Sequence, residues 1–265
     1  MTKVKDLIAF FDDIAPNHYQ ENYDNSGHLV GEENDEVQSV LVSLDVTEDV
    51  LDEALRLRAN VVVSHHPIIF SGLKRLTSQN YVQRIVKKAI KNDINLYAIH
   101  TNLDNVYYHG VNTYLAKMLK LQDIKILKPK KVDDSNQEIG AGAIGMLENA
   151  VEEKAFLDGL KQMLGLKVIK HTHFLKKPIQ TVALCGGSGR FLLDDAIEQK
   201  ADIFISSDFK YHEYFDADNQ IVIADIGHFE SEQHTIKMIH EILTNKFSNF
   251  ASHYTEVNTN PINYL

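Results

Sequence analysis

Two stretches of the chain carry the same run of apolar and polar positions. Leu51-Asp52-Glu53-Ala54-Leu55-Arg56-Leu57-Arg58-Ala59-Asn60-Val61-Val62-Val63-Ser64 aligns without a gap on Leu193-Asp194-Asp195-Ala196-Ile197-Glu198-Gln199-Lys200-Ala201-Asp202-Ile203-Phe204-Ile205-Ser206. Each reads as a short amphipathic helix, a turn at Ala-Asn or Ala-Asp, and an unbroken apolar strand. A continuous apolar run of this kind is expected where both faces of a sheet are covered. Further apolar runs flank each copy. Val40–Leu44 and Ile94–Ile99 bracket the first, and Thr181–Cys185 and Ile221–Ala224 bracket the second. Each half is therefore predicted to run strand, helix, strand, helix, strand. That is an α/β fold with largely parallel pairing, arising by duplication. The predicted domains are residues 1–128 and 129–265, with the boundary in the charged, polar stretch Lys128–Glu138 that contains Asp133-Asp134-Ser135-Asn136. The C-terminal segment is a candidate to pack back on the first half. Gly140-Ala141-Gly142-Ala143-Ile144-Gly145 is glycine-rich, but no strand precedes it and no helix starts on it. It predicts a tight bend in a strand rather than a phosphate loop.

Composition narrows the function classes. The 265 residues, 44% hydrophobic and 24% charged, suffice for a core that needs no covalent staple. A single cysteine excludes an intramolecular disulfide and favours a reducing compartment. Met1–Lys5 leads into an amphipathic stretch bearing Asp12 and Asp13 rather than an apolar signal core, and no run approaches bilayer length. The expectation is a cytoplasmic protein with no membrane partner. A formal charge of −10 repels phosphate backbones and argues against a nucleic-acid partner. The Lys128-Pro129-Lys130-Lys131 cluster reads as a solvated loop. Of the 13 histidines, His18, His28, His109, His240 and His253 stand in polar or amphipathic settings and read as surface residues.

Four other histidines, His65, His66, His100 and His228, gather where chemistry is expected. In open α/β sheets, ligands collect at the carboxyl ends of strands. The strand Val61–Val63 ends in Ser64-His65-His66-Pro67. Leu96–Ile99 ends in His100-Thr101-Asn102-Leu103-Asp104. Ile221–Ile223 runs out to Gly227-His228-Phe229-Glu230-Ser231-Glu232. Neighbouring histidines on an extended segment point to opposite sides, so His65 and His66 suit two adjacent ions better than one. Pro67 fixes the backbone behind them. His228 and Glu232, four residues apart, would share one face of a helix. Asp104 supplies a further anionic ligand. Imidazole plus carboxylate without thiolate suits zinc, manganese, iron, cobalt or nickel. His100 reads either as a ligand or as a residue holding Asp104 through a ring N–H. Ser206-Ser207-Asp208-Phe209-Lys210-Tyr211-His212-Glu213 takes the place of the His65-His66 segment in the second copy. It makes Asp208 and His212, with His100, candidates for proton transfer. Cys185-Gly186-Gly187-Ser188-Gly189 reads as an anion cradle or as a plain strand-to-helix turn, with Cys185 in the core.

With these motifs in hand, the chain resembles the GTP cyclohydrolase 1 type 2 homologues, also called the Nif-three-like or NGG-one-interacting-factor-three-like family. Tyr23-Asp24-Asn25-Ser26-Gly27, Ser64–Pro67, His100–Asp104, Cys185–Gly189, Asp208–His212, Gly227–Glu232 and Asn258-Thr259-Asn260-Pro261 follow in family order nearly end to end. Tyr23 stands where a tryptophan is usual, and His28 where an aliphatic residue is usual. The resemblance implies a dinuclear metal site in a cleft between two α/β domains, with ligands His65, His66, Asp104, His228 and Glu232. The expected cofactors are two divalent transition-metal ions, zinc, iron or manganese, with either Glu232 or Asp104 bridging. It also implies a ring-shaped homohexamer. The expected function is a metal-dependent hydrolase acting on a nucleotide or related small molecule. The alternative is a non-catalytic metal-binding scaffold or regulatory protein.

Overall fold

The computed structural model describes residues 1–130 and 138–265. In chain order the first elements are α1 (Val4–Ile14), β1 (Gly27–Val30), β2 (Ser39–Ser43), α2 (Glu48–Arg56), β3 (Val61–Ser64), α3 (Tyr81–Lys91), β4 (Asn95–Ala98) and α4 (Thr101–Asp104). Then come α5 (Val111–Met118), β5 (Gln122–Pro129), β6 (Gly140–Val151), α6 (Glu153–Leu164), β7 (Lys170–His171) and β8 (Ile179–Ser188). The last are α7 (Leu193–Glu198), β9 (Ile203–Ser207), β10 (Val222–Asp225), α8 (His228–Glu232), α9 (His234–Lys246) and β11 (Ala251–Tyr254). Two compact units result. Unit 1 comprises Met1–Leu103 and His234–Asn263, and unit 2 comprises Asp104–Gln233 and Tyr264–Leu265.

Unit 1 holds a five-stranded sheet ordered β1-β4-β3-β2-β11. β2, β3, β4 and β11 are parallel, and β1 closes one edge antiparallel to β4. Parallel strands need helical crossovers, and the sequence supplies clear helix starts. The Thr47 hydroxyl accepts the Val50 N–H at 3.2 Å to begin α2, and the Asn80 side-chain oxygen Oδ1 accepts the Gln83 N–H at 2.9 Å to begin α3. Leu41, Val62 and Leu96 share a core with Leu51, Ala54, Ile85 and Ala89 of those helices. The alternate strand residues Val40, Val42, Val61 and Val63 are equally buried, which accounts for the continuous apolar runs. Phe11 of α1 stacks on Tyr97 of β4 with ring centroids 5.0 Å apart.

Unit 2 holds a six-stranded sheet ordered β5-β6-β8-β9-β10-β7. Only β8, β9 and β10 are parallel; β5, β6 and β7 pair antiparallel. Val182, Leu184, Ile203 and Ile205 enter a core with Leu115 and Leu160, whereas Ala183, Cys185 and Phe204 enter a second core with Leu192, Leu193 and Ala196.

The duplicated pattern reappears in the hydrogen bonding. β2 pairs with β3 through Val40↔Val61, and β8 pairs with β9 through Val182↔Ile203, the same positions of the aligned copies. Asn60 Oδ1 accepts the Gln38 N–H at 2.9 Å; its counterpart Asp202 accepts the Gln180 and Thr181 N–H groups at 2.9 and 2.8 Å. The copies diverge afterwards. α3 links β3 to β4, but a seven-residue 3-10 helix, Tyr211–Ala217, stands between β9 and β10.

The expected boundary at residues 128/129 falls inside unit 2. Lys128 and Pro129 belong to β5 and pair with Ala141 and Gly140, and the Lys130 N–H donates to the Ile139 carbonyl at 2.8 Å. Lys128 also forms an ion pair with Asp195 at 3.0 Å, so it is not part of a solvated loop. Charged, polar composition is common to linkers and to connections between paired strands, so it did not discriminate. Residues 131–137, which include Asp133–Asn136, lie outside the described residues. The chain passes from unit 1 to unit 2 between Leu103 and Asp104 and returns between Gln233 and His234. β11 pairs with β2, so the C-terminal segment belongs to unit 1. Gly140–Gly145 lies within β6, with Gly142 at φ +66 where the strand bends.

Candidate metal centre

In unit 1, three imidazoles meet beyond the carboxyl ends of β3 and β4. The His65 and His66 N–H groups donate to the Ser43 and Leu44 carbonyls at 3.2 and 2.9 Å, which extends the β2–β3 pairing by two residues and fixes this backbone. The His65, His66 and His100 rings lie 5.0–5.2 Å apart between centroids. One ligand nitrogen from each lies within 4.8 Å of the others.

Each ring is held from behind by an oxygen. His65 Nδ1 is 2.9 Å from the Ile99 carbonyl oxygen, His66 Nδ1 is 2.8 Å from Asp45 Oδ1, and His100 Nδ1 is 2.8 Å from Asp24 Oδ1. A carbonyl or carboxylate only accepts, so Nδ1 carries a proton in all three, and in the neutral ring this leaves the lone pair on Nε2. Asp24 is fully buried in its side chain and is also bonded by the Thr101 N–H at 3.0 Å and the Thr101 hydroxyl. Burial alone would raise its pKa. The His100 ring and the Thr101 hydroxyl outweigh burial and hold the carboxyl well below the usual carboxylate range.

In unit 2, α8 presents His228 and Glu232 on one face. His228 Nδ1 lies 2.6 Å from Asp208 Oδ2, and Nε2 lies 3.1 Å from Glu232 Oε2. Burial opposes charge on this imidazole, but the hydrogen bonds and charges of Asp208 and Glu232 prevail and push its pKa up to about 11. Asp208 is correspondingly held low by the His228 hydrogen bond. Asp225 fixes the two segments that carry this pair. Its carboxylate accepts the Phe209 N–H at 3.3 Å, the Tyr214 hydroxyl at 3.0 Å and the Gly227 N–H at 3.2 Å, and it meets Lys170 Nζ at 2.6 Å.

Asp104, the last residue of α4, is held at its carbonyl by Asn112 Nδ2 at 3.2 Å. Burial pushes the Cys185 thiol far above its ordinary range, and the charges of Asp104 and Glu232 push it further. Both carboxylates therefore act on the same buried neighbourhood, and Cys185 is a core residue and not a nucleophile.

Two N–H groups of the Cys185–Gly189 segment are committed inside the protein rather than offered to an anion. The Gly186 N–H is taken by Asn112 Oδ1 and the Gly187 N–H by Ser231 Oγ, both at 2.9 Å. The glycines make room instead. A Cβ on Gly187, whose φ is +63, would meet Glu232 Oε1, and one on Gly186 would lie 3.3 Å from Glu232 Cγ.

The structure thus gathers His65, His66 and His100 within unit 1, and Asp208, His228 and Glu232 within unit 2. His212 stands in an exposed aromatic group, its ring 5.1 Å from Tyr211 and 6.4 Å from Phe215. The residues behind the imidazoles, Asp24 and Asp45, received no role from sequence reasoning. Asp45 closes the run that follows β2, a strand end of the same kind as those that drew attention to the histidines. Thr259, whose hydroxyl donates to Asp45 Oδ2 at 2.7 Å, comes from the C-terminal segment, where the Asn258–Pro261 motif marked the family resemblance without assigning it a role.

The donors fit a divalent transition metal. Imidazoles oriented by carboxylates or carbonyls on Nδ1 are the usual form in which histidine ligates through Nε2. His228 would ligate through Nε2 after releasing the proton it shares with Glu232, with Asp208 still holding Nδ1 and the Glu232 carboxylate available to the same cation.

Comparison with known proteins places this arrangement in a wider group. The family model described as Duf34/NIF3 (NGG1p interacting factor 3) matches residues 2–261. A Campylobacter jejuni protein named GTP cyclohydrolase 1 type 2 homolog is 34% identical over 244 residues, covering 92% of each chain. A Clostridium perfringens protein of the same name is 34% identical over 231 residues, covering 87% of each. The crystal structure of Staphylococcus aureus protein SA1388 superposes with a TM-score of 0.92 at 30% identity, over 100% of this chain and 99% of that one. A Bacillus cereus protein related to NIF3 superposes with a TM-score of 0.90 at 25% identity, over 100% and 99% of the two chains. From a match that runs nearly end to end, in sequence and in fold, the chain belongs to the Duf34/NIF3 family.

Proposed function

We propose that the protein binds two divalent transition-metal ions, zinc, iron or manganese, through His65, His66, Asp104, His228 and Glu232, and acts as a metal-dependent hydrolase on a nucleotide or related small molecule. The observation that carries the metal reading is the trio of imidazoles with oxygen-bound Nδ1 atoms and lone pairs on Nε2. The printed name of the relatives, GTP cyclohydrolase 1 type 2 homolog, motivates the choice of a nucleotide. Bound ions of this type supply an activated water and neutralise developing oxyanion charge. The chain's own residues orient that chemistry. Asp45 and the Ile99 carbonyl fix the His66 and His65 tautomers. Asp24 and His100 form a carboxylate–imidazole pair able to hold or pass a proton at His100 Nε2. Asp208 orients His228 from the opposite ring nitrogen. His212, in its exposed aromatic group, is retained only as a candidate for substrate contact or proton transfer. The assembly proposed is a ring-shaped homohexamer.

One observation favours a second reading, a non-catalytic metal-binding scaffold or regulatory protein. The Gly186 and Gly187 N–H groups, which could have held a phosphate, are consumed inside the protein. The test is elemental analysis and light scattering on untagged protein, then a nucleotide panel assayed with metal-loaded material against a His65→Ala/His66→Ala control. Two ions per chain and turnover above the control support the hydrolase. Metal without turnover supports the scaffold, and no metal under saturating supplementation rejects both. A mass other than six chains rejects the ring.

A further inference from the structure

The C-terminal segment of unit 1 runs past Thr255, where the chain is fastened to α2. The Thr255 hydroxyl bonds to the buried Glu53 carboxylate, and the Glu256 N–H donates to Glu53 Oε1 at 3.2 Å. Four residues after Thr255 comes Thr259. Its Oγ1–H donates to Asp45 Oδ2 at 2.7 Å, while Asp45 Oδ1 accepts from His66 Nδ1 at 2.8 Å. One carboxylate is therefore shared, one oxygen to each partner. With Oδ2 bonded to Thr259, rotation of the Asp45 carboxyl is restrained and Oδ1 is kept toward the ring of His66. A carboxylate bonded on one oxygen alone can rotate and offer either oxygen over a range of angles. One bonded on both is less free to do so.

We propose that Thr259 is a positioning residue for His66, acting through Asp45 to set the tilt of the imidazole and the strength of its Nδ1–H hydrogen bond, so that the C-terminal segment is a working part of the metal centre. The inference rests on the metal reading given above for His66. It adds a residue 214 positions from Asp45 in sequence, bonded to the carboxylate behind the ligand.

The experiment compares the full-length wild type with Thr259→Val, which keeps the shape and removes the donor, Thr259→Ser, which keeps the donor, and Asp45→Asn. The first readout is made on metal-free protein labelled with 15N-histidine, by magic-angle-spinning NMR, with His66 assigned from its loss in His66→Ala. Wild type, Thr259→Ser and Thr259→Val are all expected to keep the His66 proton on Nδ1, because Asp45 stays a carboxylate; Thr259→Val is expected to shift and broaden the His66 Nδ1 signal as that hydrogen bond loosens, and Asp45→Asn to show a mixture of tautomers. The second readout is zinc affinity by chelator competition, together with the visible spectrum of the cobalt-substituted protein. Removing the partner of a ligating histidine weakens metal binding by about 10–100-fold, which is the expectation for Asp45→Asn. One step further out, Thr259→Val is expected to lose about tenfold, with Thr259→Ser within about twofold of wild type and an altered cobalt spectrum only in Thr259→Val. An unchanged His66 Nδ1 signal and unchanged affinity in Thr259→Val would overturn the inference. Failure of the wild type to take up metal would overturn the metal reading instead, and the Nδ1 readout would still judge the relay.

Discussion

The buried Asp24 carboxylate shows how a single residue can tie a site to pH. It holds His100 and Thr101 together, and its pKa is displaced downward because the charged form accepts all of those hydrogen bonds. A carboxyl whose folded pKa lies below its unfolded value adds stability that is fully present above the unfolded value, about 3.9, and is lost as the pH falls through the folded value. Wild-type protein is therefore expected to lose stability steeply below pH ~4, and Asp24→Asn to lose distinctly less over the same interval. At neutral pH the variant should already be weaker by about 1.5–3 kcal/mol, the usual worth of a hydrogen bond to a charged group. Urea titrations at pH 6, 4 and 3 measure both. Equal acid sensitivity in the two proteins would mean that Asp24 is not the group responsible. At this scale the sequence was legible where side-chain type declares the chemistry. His65, His66, His228 and Glu232 are conspicuous as imidazoles and carboxylates at strand and helix ends. Asp24 and Asp45 are not, because a carboxylate bonded to an imidazole looks, in sequence, like any surface acid.

At the scale of elements, two glycines in the same backbone conformation separate strain from space. Gly187, at the end of β8, and Gly165, capping α6, have φ of +63 and +65. Alanine in that left-handed region costs about 1–2 kcal/mol at either position. They differ in what a methyl group would meet: Glu232 Oε1 at Gly187, and nothing within 4 Å at Gly165. Gly165→Ala is therefore expected to lower stability by about 1–2 kcal/mol and leave zinc affinity unchanged, whereas Gly187→Ala should cost more and lower zinc affinity at least tenfold by displacing the Glu232 carboxylate. Denaturant melts and chelator competition on both variants check this, and equal zinc affinity would show that Gly187 only shapes the turn. The same contrast explains what the pattern of the chain revealed. The strands β2, β3, β4, β8, β9 and β10 were readable because both faces are buried and the apolar runs are unbroken. The antiparallel half of the second sheet was not. β5 alternates exposed and half-buried positions, and β6 opens on glycine and alanine, so neither presents a strong apolar run. The boundary near residue 128 failed for the related reason that polarity marks exposure, not the end of a unit.

Across the whole molecule, the five proposed ligands come from both compact units: His65 and His66 from the first, Asp104, His228 and Glu232 from the second. No short peptide of the chain contains the set, so any ion that uses it binds the folded protein and not the unfolded chain. Binding to the folded state alone stabilises it by RT ln(1 + [L]/Kd), about 4 kcal/mol when the metal stands at ~1,000 times its dissociation constant. For a chain of this size each kcal/mol moves the melting temperature by roughly 2–4 °C, so zinc or manganese in that excess should raise it by about 8–16 °C. The effect should vanish on adding chelator. It should be reduced in both His65→Ala/His66→Ala and His228→Ala/Glu232→Ala, because each pair removes ligands from a different unit. If both metal-free variants melt near the metal-free wild type yet only one loses the metal response, the responding unit holds its ion without the other. The proposal that the five ligands act as one set would then fall, while each unit's own geometry would stand.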